Sequence, residues 1–279
     1  MVGNTHEIQN GRNPVRDWFI PVATKVKPDI AKGSTAQGKY VIAADGTAYG
    51  FNNNRSIERV HQLLDRSLAQ FKASPPVQVA ISAAELEAKF VPEPPIGSAV
   101  VRLFTRVKPA PLGSDSANEN VARDHFWILP EELKALSTGE MPEAFRMRLA
   151  RFALVDSVRG EPDHWRPAEI VRAEFKLSPL RSSKVKGFSL TGTFSMQTQD
   201  LKRGYEGKLE GELTFGTENR LVSFKAFAEG QAWGASTYAP NPPAGKFPLL
   251  IAFVSVSDEA SRVVAPQAVF YGREYLTGR

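Results

Sequence analysis

Two short segments hold the residues best equipped for acid–base work, Asp124-His125-Phe126-Trp127 and Asp163-His164-Trp165, and between them they carry two of the four histidines. An aspartate beside a histidine can orient the imidazole and raise its basicity, the arrangement of a hydrolase-like general base or of a metal shell. Adjacent residues on a strand point to opposite faces, however, so Asp124 is badly placed to reach the ring of His125. No third His or Glu stands nearby at metal spacing. Structural histidines are therefore the stronger expectation, with a hydrolase using Asp124, His125, Asp163 and His164 as the alternative, and no metal or cofactor is expected.

Other chemistry-bearing residues carry less. Ser189 lacks the glycine two positions on that a nucleophile elbow requires, since Thr191 stands there. The chain has no phosphate-loop or dinucleotide pattern. Glu206, Glu210 and Glu212 alternate along one strand, a pattern of solubility and cross-strand pairing more than of general acid and base. Cysteine is absent, which excludes disulfides, thiolate metal sites and a cysteine nucleophile together.

The net charge of +5 comes from the front of the chain: through Pro76 there are ten Lys and Arg against six Asp and Glu, leaving 25 against 24 behind. Arg55, Arg59 and Arg66 form a basic stripe there. No aromatic is interleaved with them, so nucleic-acid binding is disfavoured. No window approaches the ~18 apolar residues of a spanning helix, and Met1–Asn13 lack the apolar centre of an export signal. The chain reads as soluble: extracytoplasmic if a signal peptide has been trimmed, a compartment its missing cysteines also suit, and otherwise cytoplasmic.

These residues must be positioned by an α+β fold that is mostly β. Residues 1–74 predict a small helix, hairpin, helix module: Asn13 and Pro14 start a helix, Asp45-Gly46 turns a hairpin, and Ser56 caps a helix with Ile57, Val60, Leu64, Leu68 and Phe71 on one face. Residues 77–279 predict a larger domain. A strand over Val77–Ile81 and a helical piece over Ala84–Phe90 come first, then a strand over Ala99–Val107. The polar stretch Leu112–Asn120 reads as a loop. His125–Leu129 reads as extended and Pro130–Leu136 as a helix, and Pro142–Val155 as helix giving way to strand by Phe152. Strands over Val171–Leu177, Gly187–Gln197, Gly204–Phe215, Val222–Ala228 and Phe247–Val256 follow, with a last edge at Gln267–Tyr271. Consecutive long strands of this kind predict an antiparallel curved meander, closed as a barrel or folded as a sandwich.

A four-residue loop from Asp200 to Arg203 would set Gly192 directly opposite Gly211. Facing glycines leave the apolar side of a sheet bare. A bend, an aromatic such as Phe224 or Phe253, or a ligand would fill the gap. On the polar side, Phe227 and Trp233 share a face with Glu229 and Gln231, and Trp233 with Tyr238 offers a stacking platform for a flat ligand such as a sugar. The expected function is noncatalytic: a small molecule, carbohydrate among the candidates, or a protein partner bound near Trp233, Tyr238, Phe227 or the Gly192 and Gly211 gap. A structural module of a larger assembly is the further alternative.

Overall fold

The computed structural model describes residues 9, 14–30, 36–54, 56–77, 94–108, 121–181, 185–237, 239, 241–262 and 264–279. Arg55, Tyr238, the loop at 112–120 and, Val77 apart, the segments expected over 77–90 lie outside them. The chain divides into two compact units, Met1–Ala88 and Lys89–Arg279.

The first unit contains helix α1 (Pro14–Thr24), strands β1 (Lys39–Ile42) and β2 (Ala48–Asn52), and helix α2 (Ile57–Ala73). The Ser56 hydroxyl caps α2 by accepting from the Arg59 backbone N–H. Its inward stripe is not the apolar one. Leu63 and Ser67 are buried, with Leu63 seated against Gly50, where a β-carbon would come 2.5 Å from the leucine. Ile57, Leu64 and Leu68 are left exposed, and Phe71 meets Tyr49 edge-on. Glycine at position 50 accounts for the turn of the helix, because it lets Leu63 come closer to the hairpin than any neighbour in the apolar stripe.

The second unit is built on one antiparallel sheet of seven strands: β3 (Ala99–Val107), β4 (Val121–Ile128), β5 (Ile170–Pro179), β6 (Lys186–Gln197), β7 (Gly204–Phe215), β8 (Leu221–Trp233) and β9 (Phe247–Ser255). Their order in space is β4-β3-β9-β8-β7-β6-β5, so the sheet is not closed. Alternation decides the faces. Phe188, Leu190, Phe194 and Met196 of β6 are buried, as are Tyr205, Leu209 and Leu213 of β7 and Leu249, Ile251 and Phe253 of β9. Short helices cover this inner face: α3 (Pro130–Ser137), α4 (Glu143–Arg148) and α6 (Arg273–Thr277), the last following the four-residue α5 (Glu259–Arg262). Leu133, Leu136, Phe145 and Tyr275 from these helices join the strand residues in a single core. No helix among the described residues is long and apolar enough to cross a membrane.

Two expected elements take other forms. The strand expected by Phe152 is a π-helical turn, Leu149–Ala153, continuing α4, and all five of its residues are buried. Where every residue is buried, apolar spacing cannot separate helix from strand. The edge expected at Gln267–Tyr271 is a 3-10 helix packed on the core through Ala268 and Val269.

The register of β6 on β7 also departs from expectation. Gln197 pairs with Gly204, so Gly192 faces Leu209, and Gly211 faces Leu190. The turn is longer by two residues because Thr198 closes it: its backbone N–H donates to the Arg203 carbonyl, and its hydroxyl donates to Asp200. The gap expected at Gly192 and Gly211 does not exist. A β-carbon on Gly192 would lie 2.1 Å from the Glu174 carbonyl, and one on Gly211 would lie 2.5 Å from Ala226. Glycines do face each other one strand further on, where Gly207 pairs with Gly230. The Tyr205 hydroxyl donates to the Leu249 carbonyl on β9 at 3.0 Å, so its side chain crosses β8 beside Gly230. A tyrosine from within the sheet uses the room that the glycines leave.

Candidate functional site

A concavity lined by many polar side chains lies at one end of the sheet. The β6–β7 turn, the end of β8, the segment Asp163–Glu169 and Tyr271 enclose a cleft of about 580 Å³. Three ion pairs stand on its wall. Arg203 reaches the Asp163 carboxylate at 3.5 Å and donates to the Asp163 carbonyl, while its guanidinium lies 4.0 Å from the Trp165 ring centre. Lys202 pairs with Asp200 at 3.3 Å, and Arg166 with Glu169 at 3.5 Å. Asp163 also accepts from the Thr237 backbone N–H at 2.7 Å. Arg166 and Lys202 keep more than four-fifths of their side chains in water, at 81% and 83% exposure. Tyr271 is 39% exposed and contributes an aromatic ring.

His164 is the odd member of the set. Its ring meets Tyr271 at right angles, 4.7 Å between centres, and leans on Phe152 at 5.3 Å. Both ring nitrogens are shut from water without a hydrogen-bond partner. Burial, reinforced by Arg203 and Arg151, pushes its pKa down to about 3. A neutral imidazole with no carboxylate on it is not a poised general base. The same shift has a consequence for stability. The unfolded chain binds this proton near the ordinary histidine pKa of about 6.5, and the folded chain does not, so the contribution is full above pH 6.5 and fades as pH falls towards 3. Between pH 6.5 and 5 the loss from this group is expected to reach about 2 kcal/mol, and because Asp124, with its raised carboxyl, gains stability over the same range, it is read as the difference between the urea-denaturation profiles of the wild type and His164→Leu.

The other pair serves elsewhere. Asp124 does not accept from the His125 ring. It accepts from the backbone N–H groups of His125 at 2.7 Å and Gln267 at 3.0 Å, fastening β4 to the C-terminal 3-10 helix. Burial lifts its carboxyl to about 6, against the pull of those two N–H groups. His125 faces Arg102 across β3 and β4, and burial, followed by that arginine, lowers its pKa. Asp163 and His164 thus line the cleft, while Asp124 and His125 do not. Among the described residues no three His, Asp or Glu side chains gather as a metal site.

Trp233 is committed to the fold. Its indole lies over Gly204, where a β-carbon would come 2.0 Å from the ring, and its N–H donates to the Leu201 carbonyl. Lys246 stands 4.6 Å from its centre. This side chain clamps the β6–β7 turn and does not offer a bare platform. Phe227 is exposed on the outer face of the sheet, and Arg59 and Arg66 are exposed on α2.

No protein-family model, curated protein or solved structure matches this chain. The site is therefore defined by its own geometry. Sequence reasoning named Asp163 and His164, and passed over Arg166, Glu169, Thr198, Lys202, Arg203 and Tyr271. The polar run Thr198–Arg203 was the available signal, because a hairpin turn this rich in charge at a sheet end is a common place for binding groups.

Proposed function

We propose that this is a noncatalytic binding protein whose β domain takes a neutral, hydroxyl-rich small molecule, such as a sugar, in the cleft at the end of the sheet. One observation carries the reading: the wall presents three cations and three anions as adjacent pairs. Such a wall has no excess charge to attract an ion, yet sets donors beside acceptors at the spacing that neighbouring hydroxyls use. The partly exposed Tyr271 ring supplies an apolar surface for the C–H face of a sugar. Against acid–base catalysis stands His164, held neutral without a carboxylate partner.

A thermal-shift and calorimetric panel of mono- and oligosaccharides tests the reading. A bound sugar at 100 times its Kd is expected to add about 2.7 kcal/mol to stability. Tyr271→Ala and Arg166→Ala are expected to abolish the gain. A panel without any stabilising sugar, or a gain that survives both substitutions, would exclude this cleft as a sugar site.

A further inference from the structure

The outer face of the sheet, opposite α3 and α4, carries a pattern in register that solubility does not require. Its middle row reads Glu210, Phe227, Ala252, Phe104 and Arg123 across β7, β8, β9, β3 and β4. The row on one side runs Lys208, Glu229, Leu250, Arg106, Val121, and that on the other runs Glu212, Lys225, Val254, Arg102, His125. Phe227 and Val254 are 43% and 38% exposed. Apolar residues therefore occupy the centre, net negative charge lies over β7 and β8, and β3 and β4 carry arginines.

We infer that this face docks a second copy of the chain, face to face, about a two-fold axis parallel to β9. The charge pattern selects the occupant and the axis together. Rotation about an axis along β9 carries the acidic half of one copy onto the basic half of the other, keeping each row in line. Glu210 then meets Arg123 of the second copy, Glu229 meets Arg106, and Phe227 meets Phe104. Ala252, Leu250 and Val254 meet themselves. Rotation about an axis across the strands would instead set Glu210 on Glu210, Arg123 on Arg123 and Arg106 on Arg102, like charges that cancel the opposite pairs it makes, Glu229 with Lys225 and Lys208 with Glu212. The single unfavourable meeting, Lys225 with Arg102, is relieved because Arg102 is drawn aside to Ser261 and Asp258. The five strands, about 4.8 Å apart, are all in register over the five residues that these rows span, a face of about 400 Å², half the ~800 Å² per partner of a stable complex and of the size of a weak, concentration-dependent pairing.

Sedimentation velocity on the full chain tests the pairing, with thermal melts to verify that each variant is folded. The expected mass is twice the 30.6 kDa of one chain. Glu229→Arg and Arg106→Glu are each expected to weaken association about tenfold or more, since each sets like charges together twice. Mixing the two variants, or placing both substitutions in one chain, restores opposite charges at both contacts and is expected to recover the dimer. A monomer at every concentration, a dimer indifferent to both reversals, or a loss that mixing does not repair would each overturn the inference. None of these outcomes bears on the sugar cleft, which lies at the end of the sheet.

Discussion

Arg148→Met is expected to cost about 3–5 kcal/mol, a large part of the stability of a domain this size. The guanidinium is fully buried. It holds both oxygens of Glu132 at 2.8 and 2.6 Å, and donates to the carbonyls of Trp127 and Tyr275. The rings of Phe126 and Tyr275 lie 4.9 and 4.6 Å from its carbon. One side chain thus joins α4, α3, the end of β4 and α6. Methionine would replace the volume and leave the Glu132 carboxylate buried without a cation. Burial already raises the pKa of Glu132 against the pull of Arg148, so in the variant that carboxyl is expected to become protonated. Urea denaturation of Arg148→Met, Glu132→Leu and the double variant checks this. The double variant is expected to recover much of the loss, because the larger cost lies in the orphaned charge.

Gly207→Val is expected to cost about 3 kcal/mol, and Gly230→Val a similar amount. A β-carbon at Gly207 would lie 2.2 Å from the Glu229 carbonyl oxygen, and one at Gly230 would lie 2.1 Å from that of Glu206. Backbone lies on the other side in both cases, so no flexible side chain can yield, and β7 must part from β8. Parting them would also pull Tyr205 from its hydrogen bond with Leu249. Lys208→Val, next in sequence but pointing to solvent, is expected to change stability by less than about 1 kcal/mol. Denaturation midpoints of the three variants separate close strand approach from a general effect of valine in β7.

The strands of the second unit were legible wherever one face is wet. In β6 and β7 nearly every second residue is polar, β8 keeps the pattern apart from Phe227 and its ends, and alternation alone placed the core. Between Pro142 and Val155 the chain is buried nearly all round, so no periodicity remained to be read, and the π-helical turn passed for a strand. The register error at Gly192 came from side-chain chemistry within the turn: Thr198 and Asp200 hold it open by two residues, which parity along the strands cannot report. In α2 the apolar stripe was visible, but the stripe that packs was decided by a glycine on the facing hairpin. At the cleft, Asp163 and His164 stood out as an acid and a base adjacent in sequence. Their partners Arg203, Thr237 and Tyr271 come from segments far along the chain, and nothing in the sequence marks Arg148 and Glu132 as a pair, because pairings of that kind are fixed only when the chain has folded.

The placement of β9 bears on how the molecule is made. This strand, the last of the seven in chain order, is inserted between β3, the first, and β8. Without it the sheet falls into a two-stranded ribbon and a four-stranded one with no ladder between them. A nascent chain therefore presents the bare edge of β8 until β9 emerges, and joining the ribbons closes a loop of well over 100 residues, a slow kind of event. Until that keystone is seated, the protein is at its most vulnerable to pairing with strands of its neighbours.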